Sequence, residues 1–164
     1  MTKPDAWRGI FSAGREFDQS AVLLWQETIK LFELSAPEVP YVTPAVVCSA
    51  FALELYLKAL ITLEMGGAPR GHSVVSLFGK TTSASQSAIR QRFSELVKTS
   101  ATVHAMKLKL PNASSNLDDV LIECDRVFEK WRYSYEGKLS SPFCIEHLLQ
   151  AVRDRVVTLD NGAA

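Results

Sequence analysis

The sequence has few cysteines, no excess of either charge and no long apolar run free of charge, and each absence removes a class of protein. Cys48, Cys124 and Cys144 stand far apart with no CxxC pair, so neither a zinc knuckle nor a thiol redox motif is offered. Each lies in an apolar helical pattern and reads most simply as a small buried residue. His72, His104 and His147 are 32 and 43 residues apart with no acidic partner at metal-ligand spacing, so no metal and no cofactor is expected. P-loop, GxGxxG, GxSxG, HExxH and EF-hand patterns are all missing. Lys plus Arg and Asp plus Glu both number 18, a formal net charge of zero. Proteins held to nucleic acid by many phosphate contacts carry a basic excess, so a dedicated non-specific DNA or RNA binder is disfavoured, although a local patch is compatible. The longest apolar run, Ala45 to Met65, contains Glu54, Lys58 and Glu64, each costing about 2.5–3.5 kcal/mol at a membrane centre. Met1 to Arg8 holds no apolar stretch of signal type. The expected location is the cytosol, with no membrane partner.

What is present is helical periodicity. The 164 residues suit one domain, and 1–164 reads as a single helical domain with 1–4 and 160–164 frayed. Ile10, Phe17, Leu24 and Leu31 recur every seven residues, with Ala21 and Thr28 between them. They predict the buried face of a first helix from near Asp5 to Leu34, weakened at Gly9 and Gly14 and ended by Pro37-Glu38-Val39-Pro40. Thr43 as N-cap and Pro44 at the first helical position open a second helix, closed by Gly66-Gly67. It is apolar nearly all round and so should be central. After the loop Ala68 to Ser73 comes a short helix with Val74, Val75, Leu77 and Phe78. A polar connection from Thr81 to Ser85 leads to a helix carrying Ile89, Phe93, Leu96 and Val97. Ala101 to Ser115, with Pro111-Asn112, reads as loop with at most one turn. Asn116 caps a helix with Asp118 and Asp119 in its first turn and an apolar face from Leu117 to Trp131. Ser141-Pro142 opens the last helix, with Ile145, Leu148, Leu149, Val152, Val156 and Leu159 buried. The fold class expected is all-α, an antiparallel bundle of five to six helices.

Three features have chemical content. Glu54 and Lys58 lie four apart on the central helix and share a face. They are either an ordinary ion pair worth a few tenths of a kcal/mol or, on so apolar a helix, part of a functional network. His72, in Arg70-Gly71-His72, either caps the short helix or binds a neighbouring carbonyl, or it serves an anion near a helix start. Trp131-Arg132-Tyr133-Ser134-Tyr135-Glu136-Gly137 places an arginine, two tyrosines and a carboxylate together. Arg132 either pairs with Glu54 while Tyr133 and Tyr135 cover the core rim, or the group contacts phosphates and bases.

In order and spacing, Ala50 to Leu60 with its Glu54-x-x-x-Lys58, the Gly71-His72 loop, and Arg132-Tyr133-Ser134-Tyr135-Glu136 together resemble one bacterial branch of the HEPN superfamily. The likeness covers roughly residues 45–160. It implies an HEPN-like antiparallel bundle that usually dimerises, in a toxin–antitoxin, phage-defence or RNA-processing setting. Many HEPN proteins are metal-independent ribonucleases whose signature is an arginine followed by four to six residues and a histidine. Here no arginine is followed by histidine at that spacing, and Gly137, Lys138 and Leu139 stand where Arg132 would need one.

Three readings result. The first is an HEPN-like homodimeric module that binds RNA, a nucleotide or a partner protein through Glu54, Lys58, His72, Arg132, Tyr133, Tyr135 and Glu136, without the standard nuclease signature. The second is a metal-independent enzyme acting on RNA or a nucleotide, with His72 as general base and Arg132, Glu54 and Lys58 completing a non-standard site. The third is a bundle whose polar groups only brace the core. Trp7, Phe11, Trp25 and Phe32, off the heptad stripe of the first helix, are expected to supply apolar surface for a partner subunit.

Overall fold

The computed structural model describes residues 6–34, 40–109, 113–125, 127 and 144–162. Among these the protein is all-α, with seven helices and no strand: α1 Ala6–Glu33, α2 Val42–Met65, α3 Val74–Lys80, α4 Ser83–Thr99, α5 Ala101–Lys109, α6 Leu117–Asp125 and α7 Ile145–Gly162. Phe128, Trp131, Ser141, Pro142, Pro37 and Pro111-Asn112 lie outside the described residues, as do 1–5 and 163–164. α7 continues through Gly162, so the expected fraying from 160 is corrected. The stretch read as loop after Ala101 contains the nine residues of α5, anchored by Val103, the one buried residue of that helix.

α2 is the axis of the bundle, packed by α1, α7 and α3. Its apolar residues face every direction, and Leu53, Tyr56, Leu57 and Leu60 are wholly buried. By length and composition it could cross a membrane, yet 67% of its most apolar window is covered by the rest of the chain. Its start differs from expectation. Tyr41 is the N-cap, with no side-chain cap bond, so Thr43 and Pro44 sit inside the first turn. Pro44 is tolerated there because the first-turn N–H groups have no intrahelical partner in any case. The other end is as expected: Gly66 adopts φ 76° and donates its N–H to the Thr62 carbonyl.

α1 buries a different seam from the large-residue heptad. Trp7, Gly14, Ala21 and Thr28 face inward, while Phe17 is exposed and Ile10, Leu24 and Leu31 are half-buried. The reason is close approach. A Cβ on Gly14 would stand 2.9 Å from the Tyr56 ring and 3.3 Å from Leu55 Cβ, so small residues occupy the line where the backbones meet. Trp7, Phe11 and Trp25 pack on the chain's own core, which corrects the expectation that they face a partner; Phe32 remains exposed.

Glycines 9 and 14 therefore separate propensity from packing. Gly9→Ala, with open space around its Cβ position, should stabilise the fold by up to about 1 kcal/mol through helix propensity. Gly14→Ala should destabilise it by about 1–3 kcal/mol, because overpacking outweighs that gain. Urea unfolding of the two variants reads the opposite signs, and equal shifts would show that α1 is not seated on Tyr56.

Polar ties fix the helices laterally. Tyr56 Oη donates to Asp18 Oδ2 at 2.9 Å, and Arg153 Nη1 donates to the same oxygen at 2.8 Å, joining α1, α2 and α7. Burial, with the adjacent Asp18 charge, pushes the Tyr56 hydroxyl well above its ordinary pKa. Glu64 at the end of α2 accepts the Thr82 N–H at 3.0 Å and the Thr82 and Ser85 hydroxyls. Arg155 of α7 donates to Ser85 Oγ at 2.7 Å, so one carboxylate organises the start of α4.

Candidate functional site

Two of the three sequence features meet in space. Glu54 lies in the middle of α2 with its side chain 4% exposed. Its Oε1 accepts from Lys58 Nζ at 2.7 Å and from His72 Nδ1 at 2.9 Å. Lys58 is 17% exposed and His72 80% exposed, so the cluster runs from a dry carboxylate to an open imidazole. Glu54 Oε2 is buried and has no hydrogen-bond partner among the described residues.

The loop geometry explains how His72 reaches a residue eighteen positions earlier. From Glu54 to Met65 α2 rises about 16 Å at 1.5 Å per residue. Seven residues, 66–72, span at most about 23 Å when fully extended, so the chain must turn back along α2 with little slack. Gly71 sits at φ 96° with nothing near its Cβ position, a conformation open to glycine and strained for other residues. That turn delivers His72 against Glu54. α3 then starts at once: Ser73 is its N-cap, accepting the Ser76 N–H at 3.1 Å, which removes the reading of His72 as the cap. Asp125 at the end of α6 accepts the Val75 N–H at 3.3 Å, holding the far side of the turn.

Because Oε1 already takes the Lys58 ammonium, it acts as an acceptor toward the ring. Nδ1 then carries the proton and Nε2 is the basic nitrogen left to solvent. Such a carboxylate-oriented imidazole binds an anion when protonated and takes a proton when neutral. The chain matches no family model, no curated protein and no solved structure.

The third feature, with Arg132, Tyr133, Tyr135 and Glu136, lies outside the described residues; the structure therefore joins Glu54, Lys58 and His72 and gives no position to the other four. Three cavities among the described residues lie elsewhere, one between α4 and α7, one among α4, α5 and the start of α6, and one bordered by α1, α5 and the start of α7. Among the described residues the His72 side chain is 80% exposed. Among the described residues no group of three metal-capable side chains is present. The cysteines are unpaired; burial raises the Cys48 and Cys124 thiols and pushes Cys144 up to about 11, against an opposing pull from Lys107. They are protonated and weakly nucleophilic at neutral pH. Sequence reading missed the Asp18–Tyr56–Arg153 and Glu64–Ser85–Arg155 clusters, because partners 135 and 70 residues apart leave no local signal.

Proposed function

We propose that this chain is an HEPN-like helical module that binds RNA across the surface carrying His72, as a homodimer in the cytosol, in a bacterial defence, toxin–antitoxin or stress setting. The observation that carries the reading is the exposed imidazole held by a buried carboxylate: His72 is 80% exposed while its anchor Glu54 is 4% exposed. An oriented imidazole, 80% exposed, suits contact with the phosphate oxygens of an extended polymer. Zero net charge fits an interface of few phosphate contacts, with a shallow dependence on salt. Exposed Leu23, Ile29 and Phe32 on α1 give a second subunit apolar surface to cover.

A second reading is favoured by the His72–Glu54 hydrogen bond, which orients Nε2 as a general base for metal-independent phosphodiester cleavage. Both are tested by labelled single-stranded RNA and the purified protein in EDTA, wild type beside His72→Ala and Arg132→Ala. Binding reduced about ten-fold in His72→Ala, about 1.4 kcal/mol, with unchanged thermal unfolding and no cleavage, is the expected result. Unchanged affinity in that variant would remove His72 from the interface. Cleavage by the wild type, lost in both variants, would replace binding with catalysis.

A further inference from the structure

A groove with a cationic rim lies among α4, α5 and the start of α6, away from His72. It encloses about 450 Å³, inside the range of roughly 300–1,000 Å³ typical of small-molecule sites. Its floor is apolar, built from the buried Phe93, Val103 and Leu117. Its rim carries Lys98, His104 and Lys107, and among the described residues that line it there is no carboxylate.

Among the described residues Lys98 and Lys107 form no ion pair. Arg90 also lines the groove but is occupied, donating to both oxygens of Asp118 at 2.9 and 2.6 Å. That fork offsets the Asp118 charge and holds its carboxyl below its usual range. Asp119 accepts from Ser114 Oγ at 2.6 Å. Glu95, one turn from Lys98, is turned to Gln91 and Arg92. The His104 ring is fixed by Nδ1 on the Ser100 carbonyl at 2.7 Å, leaving Nε2 for a ligand. A pocket with two uncompensated ammonium groups, an anchored imidazole and an apolar floor is complementary to a dianion attached to a hydrophobic body.

We infer that this groove binds a phosphorylated small molecule, a phosphomonoester on an aromatic or apolar body, at a site separate from the His72 surface. The phosphate lies against Lys98, Lys107 and His104, and the body covers Phe93 and Val103. The site does not depend on RNA binding at His72, and α6 separates the two surfaces, since its first residue lines the groove while Asp125 at its end holds the His72 turn.

Adenosine monophosphate, adenosine and inorganic phosphate serve as probes, titrated into the full chain and followed by amide chemical shifts. The monophosphate is expected to saturate, at least about ten-fold more tightly than either adenosine or inorganic phosphate, with shifts centred on α4 and α5. Lys98→Glu/Lys107→Glu exchanges two exposed side chains and should abolish binding without lowering the melting temperature, while His72→Ala should bind as the wild type does. No saturation, equal affinity for inorganic phosphate, unchanged binding in the Lys98/Lys107 variant, or loss in His72→Ala would each overturn the assignment. Should the charge-reversed variant misfold, Lys98→Ala alone gives the same comparison.

Discussion

Tyr56→Ala is expected to cost about 3–5 kcal/mol of folding stability, a large part of the 5–15 kcal/mol typical of a domain. The ring is fully buried, lies 5.2 Å from the Phe11 ring centroid and fills the space over Gly14. Truncation opens a cavity at the α1–α2 seam and removes the hydroxyl that Asp18 accepts. Tyr56→Phe separates these effects. It keeps the ring and loses one hydrogen bond to a charged acceptor, about 1.5–3 kcal/mol, at the low end because Arg153 still serves Asp18. Chemical unfolding followed by circular dichroism gives both values. A loss below about 1 kcal/mol for Tyr56→Ala would be incompatible with a docked α1. The same ring causes the clash at Gly14, so Gly14→Ala should lose most of its penalty in the Tyr56→Ala background, a coupling that distant sites do not show.

The second large effect is expected at Glu54. Glu54→Ala leaves the Lys58 ammonium on an apolar helix with no carboxylate, and His72 without its anchor. Breaking a buried pair costs about 3–5 kcal/mol; about 3 kcal/mol is expected here, since Lys58 is 17% exposed and its stem can carry the charge to water. Replacing both members, Glu54→Met/Lys58→Met, should be neutral or stabilising, because the desolvation of two charges is removed together. Comparing RNA affinity in this double variant decides what the pair is for. A stable double variant with weakened RNA binding means that the charges are retained to hold His72. Wild-type affinity would mean that they only brace α2 against the loop that follows it.

The sequence shows where the helices are better than how they face one another. Gly66 ends α2 and Asn116 starts α6, where its Oδ1 accepts the Asp118 N–H at 2.8 Å, because caps are local chemistry that neighbouring residues decide. The start of α2 was less legible. Thr43 and Pro44 satisfy two independent rules for a helix start, yet the helix begins before them, since first-turn positions accept proline equally well. α5 was missed because its single buried residue, Val103, produces no periodicity to detect.

The candidate site divides in the same way. Glu54 and Lys58 were legible as a pair because a four-residue spacing fixes their common face. Gly71-His72 was legible as a turn, but its destination was not: the return along α2 depends on where α3 packs.

What the sequence determined by itself is the helical class, the identity of α2 as the buried axis, the caps that depend on neighbouring residues and the residue types of the polar cluster. Tertiary structure alone decided that Gly14 joins Ala21 and Thr28 in the inward seam of α1 while Phe17 turns outward, that His72 binds Glu54, and that Lys98 and Lys107 line one groove. The physical reason is range. Periodicity and capping act within one or two turns, whereas a seam of small residues, a shared carboxylate or a cationic groove exists only once backbones distant in sequence have approached.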